Sequence, residues 1–189
     1  MKHRVFIAIN LPEKIKKILM DYQERWHDLP VRWARAESLH LTLAFLGDIG
    51  DQDLALVCQG LKDIAQKHSP FFINLTQIDY DLKEEKMPRL VWAKGEKSEK
   101  LSLLKKDLDE FLSEKIGFFP EKRDFLPHIT LGRINKWQWS KIEPEERPEI
   151  KEDLFCDFEV KSLEVMESHL KRTGAEYTIL QSELLKNYE

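Results

Sequence analysis

The chain is short of the residues that mark metal, disulfide or covalent chemistry. Of 189 residues only two are cysteines, Cys58 and Cys156, far apart and without CxxC spacing. That excludes a disulfide framework and a cysteine-built zinc site. Cys58 falls on the apolar face of a helical stretch, where a buried, reduced thiol is expected, in keeping with a cytoplasmic setting. No HExxH, no aspartate-rich cluster and no GxSxG elbow occurs, so neither a zincin nor a serine triad has its signature. No apolar run approaches the ~18 residues of a membrane span. The basic start Met1-Lys2-His3-Arg4 precedes an apolar run, Val5 to Ile9, too short for a signal peptide. Basic charge is also in deficit: 30 Lys and Arg against 34 Asp and Glu, a net charge of −4. A uniformly basic surface gripping long nucleic acid is excluded, whereas a small basic pocket for one nucleotide or one RNA end is not.

What is present suits one folded domain over residues 1–189, with 42% apolar and 10% aromatic residues. Val5 to Ile9 reads as a buried strand, and Pro12 opens a helix carrying Ile15, Ile18, Leu19, Tyr22 and Trp26. Leu39 to Leu46 is a second strand. Leu54, Cys58, Leu61, Ile64 and Ala65 mark a second helix, and Leu101, Leu104, Leu108, Phe111 and Leu112 a third. Phe71 to Leu75 and Leu90 to Ala93 read as neighbouring strands around a polar turn, Lys83 to Pro88. His128 to Leu131 is a further short strand, and Trp137 to Ile150 a loop or short helix. Phe155 to Val165 and Tyr177 to Leu180 are the last strands, with a turn at Thr173-Gly174. Strands that do not alternate regularly with helices predict an α+β fold of antiparallel sheets with helices packed outside.

One pattern occurs twice, 88 positions apart: His40-Leu41-Thr42-Leu43 and His128-Ile129-Thr130-Leu131. In a strand, alternate side chains share a face. Each copy therefore presents an imidazole and a hydroxyl on one face, backed by two apolar residues on the other. A single His-x-Thr reads as a half-buried strand with a surface histidine. The duplication argues instead for two such faces meeting across a pseudo-twofold. Two imidazoles titrate near neutrality, so one can take a proton while the other gives one. The hydroxyls can donate to phosphoryl oxygens, which suits phosphoryl transfer by positioning and charge stabilisation, without a metal.

These residues resemble the two-histidine phosphoesterase superfamily, and within it the LigT-like RNA 2′,3′-cyclic phosphodiesterases. The likeness rests on Arg4 to Pro12, on Trp33 with His40-Leu41-Thr42-Leu43-Ala44-Phe45-Leu46-Gly47, and on Pro127-His128-Ile129-Thr130-Leu131-Gly132-Arg133. It implies a bilobal fold, two antiparallel sheets facing a central cleft. It implies His40 as proton donor and His128 as proton acceptor, with Thr42, Thr130 and Arg133 on the phosphate. The pseudo-symmetry of the motifs leaves the donor and acceptor roles open. Strict alternation places Arg133 opposite His128, so a strand end or bulge near Gly132 is needed to bring it to the site. Phe6 and Phe45 are expected in the core, and His169 on the surface; His3, His27 and His68 carry no pattern.

The expected reaction is metal-free hydrolysis of an RNA 2′,3′-cyclic phosphate to a 2′-phosphomonoester, with reversible 2′–5′ RNA ligation as a variant and no cofactor. The substrates expected are RNA 3′ ends or cyclic nucleotides, acted on by a cytoplasmic monomer without membrane contact. The alternatives are a non-catalytic nucleotide or RNA-end binding module, whose mark is the loss of a motif residue, and an esterase for another cyclic or 2′–5′-linked nucleotide.

Overall fold

The unbroken apolar run of the first strand is explained by its place in the fold. In the computed structural model, which describes residues 1–81, 87–121, 125–171 and 174–186, strand β1 (Lys2–Asn10) is covered on both faces. Val5, Ile7 and Ile9 enter the main core, whereas Phe6 and Ala8 join Met166 in a small second cluster on the other face. The remaining strands are β2 (Val31–Trp33), β3 (His40–Gly50), β4 (Phe71–Tyr80), β5 (Leu90–Gly95), β6 (His128–Ile134), β7 (Lys151–Val160), β8 (Ser162–Lys171) and β9 (Gly174–Leu184). The helices are α1 (Glu13–Arg25), α2 (Asp51–Ala65), α3 (Glu99–Ile116) and the one-turn α4 (Lys136–Trp139). One-turn 3₁₀ helices span Ala36–Ser38 and Pro144–Glu146.

The long helices show the stripes that their spacing predicts. Ile15 and Leu19 of α1, Val57, Leu61 and Ile64 of α2, and Leu101, Leu104, Leu108 and Leu112 of α3 all enter the main core. Burial of each such side chain stabilises the fold by about 1.5–3 kcal/mol before entropy is counted. Helix α3 starts at Ser98, whose side chain accepts from the Leu101 N–H at 3.2 Å. Among the described residues, no helix is long and apolar enough to cross a membrane.

The fold is α+β with antiparallel pairing, as expected, but the strands form one sheet rather than two. Their order is β7-β4-β5-β6-β3-β1-β8-β9, with β2 also on β6. The halves β7-β4-β5-β6 and β3-β1-β8-β9 are joined through a single residue pair, Leu41 with Ile129. Beyond it β3 leaves β6, and β2 takes up the same edge of β6 through Val31, Arg32 and Trp33. A seam one pair wide is invisible to periodicity, which reports which face is buried and not which edge is paired.

Smaller differences have local causes. The run from Phe155 to Val165 divides into β7 and β8 at Lys161, outside both strands. Trp137 to Ile150 holds α4 and a 3₁₀ turn, anchored by buried Trp139 and Ile150. The polar turn from Lys83 and the turn residue Thr173 fall largely outside the described residues. Cys58 and Cys156 are free and only half-buried.

Candidate active site

Each motif begins a strand: His40 opens β3 and His128 opens β6. Leu41 and Ile129, the seam pair, are completely buried in the main core. His40 and Thr42, and likewise His128 and Thr130, alternate with them and lie on the opposite face. The antiparallel register centred on Leu41 and Ile129 sets His40 across from Thr130 and Thr42 across from His128. The pseudo-twofold inferred from the duplication therefore passes through the seam. All four motif side chains are half-buried and gathered on one face.

The two imidazoles are held in the same way. His40 Nδ1 donates to the Ser38 carbonyl at 2.8 Å, and His128 Nδ1 donates to the Leu126 carbonyl at 2.9 Å. Each ring is tied to the carbonyl two residues before it. A carbonyl can only accept, so Nδ1 carries the hydrogen and Nε2 is left for acid–base work.

The walls around the rings differ. His40 lies against Phe6, with centroids 4.8 Å apart, and meets Tyr177 nearly at right angles at 5.0 Å. His128 stacks on Trp92 at 3.9 Å with a 27° interplanar angle. Burial is the main reason that His40 titrates at about 4, below the ordinary histidine range. The Ser38 carbonyl opposes that shift and the charge of His128 adds to it. Burial also lowers His128, and Lys94 adds to the lowering. The Leu126 carbonyl, Glu121 and Asp81 act against it. The effect of His128 on His40 places the two rings within reach of one electrostatic field.

A bulge follows each motif. Across β1 and β3, Ala8 faces Thr42 while Ile7 faces Ala44, which makes Leu43 an extra residue. Across β5 and β6, Trp92 faces Thr130 while Val91 faces Gly132, which makes Leu131 the extra residue. An extra residue reverses the facing of everything after it. Ala44 and Gly132 thus stay on the core side, and Phe45 and Arg133 return to the face of the histidines. The bulge required to bring Arg133 to the site is present, and Gly132 sits in it. A Cβ at Gly132 would lie 2.4 Å from Val31 Cγ1 and 2.9 Å from Trp33 Cε3, so glycine is what lets β2 close on β6.

The structure corrects one expected core residue. Phe6 is 2% exposed, as expected of a core position, but Phe45 is 68% exposed. Its ring stands 5.9 Å from Phe6 on the site face. Trp33 packs on the core side, stacked with Trp26 at 6.3 Å.

Sequence reading missed Trp92, Lys94 and Tyr177. Lys94 lies directly opposite His128, and its Nζ holds Asp79 Oδ2 at 2.9 Å. The alternation of Val91, Trp92, Ala93 and Lys94 put Trp92 and Lys94 on one face, but the pairing of β5 with β6 was the missing link. The other histidines are elsewhere. His3 bridges Asp51 and Glu167, His68 pairs with Asp107 at 2.9 Å, and His169, half exposed, approaches Glu167 at 3.4 Å. Among the described residues no group of three or more His, Cys, Asp or Glu side chains is gathered to hold a metal ion. A cavity of about 530 Å³ is lined by Asn10, Lys14, Phe72, Glu159, Lys161 and Glu164 among others, but by neither motif histidine. Size alone does not mark the chemistry here.

Known proteins share this fold. The LigT-like phosphoesterase family model matches the chain twice, over residues 9–92 and 91–177, one motif in each match. An RNA 2′,3′-cyclic phosphodiesterase of Methanothermobacter thermautotrophicus is 33% identical, covering 92% of this chain and 91% of that protein. One from Methanocaldococcus jannaschii is 31% identical, covering 94% and 98%. A crystal structure of a Thermus thermophilus protein superposes with a TM-score of 0.84 at 28% identity, covering 96% of this chain and 97% of that one. E. coli LigT complexed with 3′-AMP gives 0.77 at 25% identity, covering 99% and 100%. With its two motif strands joined at one seam and its halves matched in turn, the chain belongs to the LigT-like phosphoesterase family.

Proposed function

We propose that this protein hydrolyses the 2′,3′-cyclic phosphate at RNA ends to a 2′-phosphomonoester. The observation that carries the reading is the pairing of two identically tethered imidazoles, His40 and His128, each across from the threonine of the other motif. Two of its relatives are named RNA 2′,3′-cyclic phosphodiesterases. E. coli LigT, a neighbour in structure, has been crystallised with 3′-AMP, a nucleoside monophosphate.

In this mechanism His128 Nε2 takes a proton from water, and the resulting oxygen attacks phosphorus. The bond from phosphorus to the ribose 3′-oxygen breaks, and His40 Nε2 supplies the proton that this oxygen needs. Thr42, Thr130 and Arg133 hold the non-bridging oxygens. The bond made and the bond broken lie on opposite sides of phosphorus, which matches acid and base approaching from two motifs. With a 5′-hydroxyl in place of water, the same displacement forms the new bond from that oxygen to phosphorus as the bond to the 3′-oxygen breaks, giving 2′–5′ ligation, and the reverse of that step cleaves the 2′–5′ linkage. Residues 1–189 act as one domain, monomeric and cytoplasmic, with neither metal nor cofactor.

The test is incubation with RNA ending in a 2′,3′-cyclic phosphate, with and without exhaustive EDTA, and separation of the products. A 2′-phosphate formed equally in both conditions supports the reading. A 3′-phosphate product reverses the substrate orientation and with it the donor role of His40. Loss on chelation, restored by zinc or manganese, moves the chemistry to a metal-bound water. Binding without turnover leaves a non-catalytic RNA-end module.

A further inference from the structure

The two halves of the sheet repeat one frame around the motif histidines. Asn10 of β1 lies opposite His40, and Lys94 of β5 lies opposite His128. One strand further out, Glu164 of β8 lies opposite Ala8, and Asp79 of β4 lies opposite Trp92. In each half the outer carboxylate reaches the residue beside the histidine. Glu164 accepts from the Asn10 backbone N–H at 3.0 Å, and Asp79 accepts from Lys94 Nζ at 2.9 Å. The frame is symmetric but its charge is not: an uncharged amide residue stands beside His40 and an ammonium residue beside His128.

The ammonium is placed to act on the ring. Residues opposed across antiparallel strands project to the same face, with Cβ atoms about 4.5–5.5 Å apart. Val91 and Ala93 are completely buried in the main core, so Trp92 and Lys94 are on the site face. His128 is stacked on Trp92 and tied through Nδ1 to Leu126, which fixes the ring relative to Lys94. The Lys94 and Asp79 side chains are only 13% and 22% exposed, and charges so placed are screened less than surface ones. Asp79 lies on the far side of β5 from His128, so it draws Nζ away from the ring and offsets part of its charge. Its Oδ1 accepts from the Tyr80 N–H at 2.7 Å, which fixes the carboxylate. The other charges that act on this ring are Glu121, before β6, and Asp81, just past β4, which pairs with Arg89 at 3.5 Å; His40 lies across the seam. Glu121 and Asp81 favour the charged ring, and Lys94 opposes them.

We propose that Lys94 and Asp79 form a positioning pair for the base: the ammonium holds His128 ready to accept a proton from water, and the carboxylate limits how strongly it does so. The inference rests on the cyclic phosphodiesterase reading, which makes His128 the base, and adds to it two residues that act through that ring. A base must be neutral when water reaches it, and a neighbouring positive charge disfavours the imidazolium form. Burial acts on both rings and treats the motifs alike. The pair distinguishes His128 from His40, whose matching neighbour, Asn10, carries no charge.

The experiment follows the His128 ring by NMR titration in variants of both partners, alongside kcat/KM against pH for an RNA ending in a 2′,3′-cyclic phosphate. Lys94→Gln removes the cation, so the pKa of His128 should rise. Asp79→Asn frees the cation from its counter-charge, so that pKa should fall. One unit charge at about 7 Å in a water-rich site moves a pKa by about half a unit. The acid limb of kcat/KM should move in the same two directions, which is about a 3-fold loss of rate on that limb for Lys94→Gln. Lys94→Arg keeps the charge and should restore the wild-type limb. Both single variants break the same ion pair, so a merely structural role moves the ring in one direction, whereas the charge of Lys94 moves it in two. The double variant Lys94→Gln/Asp79→Asn keeps a neutral hydrogen-bonding pair of the same shape, and its titration should lie between the two single ones. Shifts of the same sign, or none, overturn this inference alone. A wild type inert on the cyclic phosphate overturns the phosphodiesterase reading and the inference with it.

Discussion

Phe45 and Arg133 are counterparts: each stands five residues after its motif histidine, and each is returned to the site face by one extra residue, Leu43 or Leu131. The site is therefore symmetric in backbone and asymmetric in chemistry. The imidazoles, hydroxyls and tethering carbonyls repeat. A phenyl ring then closes one end and a guanidinium the other. A substrate with a nucleoside on one side of its phosphorus has a reason to bind in one orientation.

Gly132→Ala tests the bulge. The added methyl meets Val31 and Trp33 at 2.4 and 2.9 Å, so β2 must move. Overpacking of this kind costs about 1–3 kcal/mol, which should appear as a lower unfolding midpoint. Activity should fall further than stability, because β2 and the strand that aims Arg133 shift together. An alanine variant with wild-type midpoint and wild-type rate contradicts the geometry.

Replacing either motif histidine tests the acid–base pair. His40→Ala and His128→Ala should each lower turnover by about 10²–10⁴-fold. Both rings are on the site face and not in the main core, so the folded state should persist by circular dichroism. The double variant should be little worse than either single one, since each loss alone disables the unit. Wild-type turnover in His128→Ala defeats the mechanism.

The sequence carried the motif strands and helices because each has an unambiguous period. Leu41 and Leu43 against His40 and Thr42 is an alternation that few other structures accommodate. It carried the need for a bulge at Gly132 as well, since Arg133 is out of phase with His128. Three things were not legible. The seam depends on edge pairing between strands 88 positions apart. The second bulge, at Leu43, left no mark, because Phe45 in an apolar stretch reads as core until its exposure is known. Trp92 and Lys94 belong to the site through the register of β5 on β6, a non-local pairing with no signature in either strand.

Trp92 offers a separate test of the His128 wall. The electron-rich face of an indole favours a cation, by roughly 0.5–2 kcal/mol, so this stack supports the imidazolium form of His128 against the burial that lowers it. Trp92→Leu removes that support, and the pKa of His128 should fall further. Trp92→Phe keeps an aromatic face and should sit between the two. NMR titration of the His128 ring reads the shift directly, and an upward movement in the leucine variant refutes the role given to the indole.

The strongest pH prediction follows from the direction of both histidine shifts. In the free enzyme burial lowers the pKa of His128, and holds His40 at about 4. With both shifts downward the neutral forms of the two rings are favoured, so the base is ready and the acid is scarce. The productive form has one ring charged and one neutral, and it is most abundant between the two macroscopic pKa values. The optimum of kcat/KM, which reports the free enzyme, should therefore lie on the acid side of the ordinary histidine range. A bound phosphodiester changes the balance, because its negative charge favours the imidazolium form. One unit charge at about 4 Å and an effective dielectric near 20 is worth about 4 kcal/mol, or about three pH units; solvent in the open site reduces this. The optimum of kcat should accordingly lie about one to three pH units above that of kcat/KM. Both profiles should be bell-shaped, with limbs that belong to the pair. Profiles of kcat and kcat/KM that coincide would mean that bound phosphate does not recharge the histidines. A rate rising steadily across the histidine range would replace the imidazolium acid with attack by hydroxide.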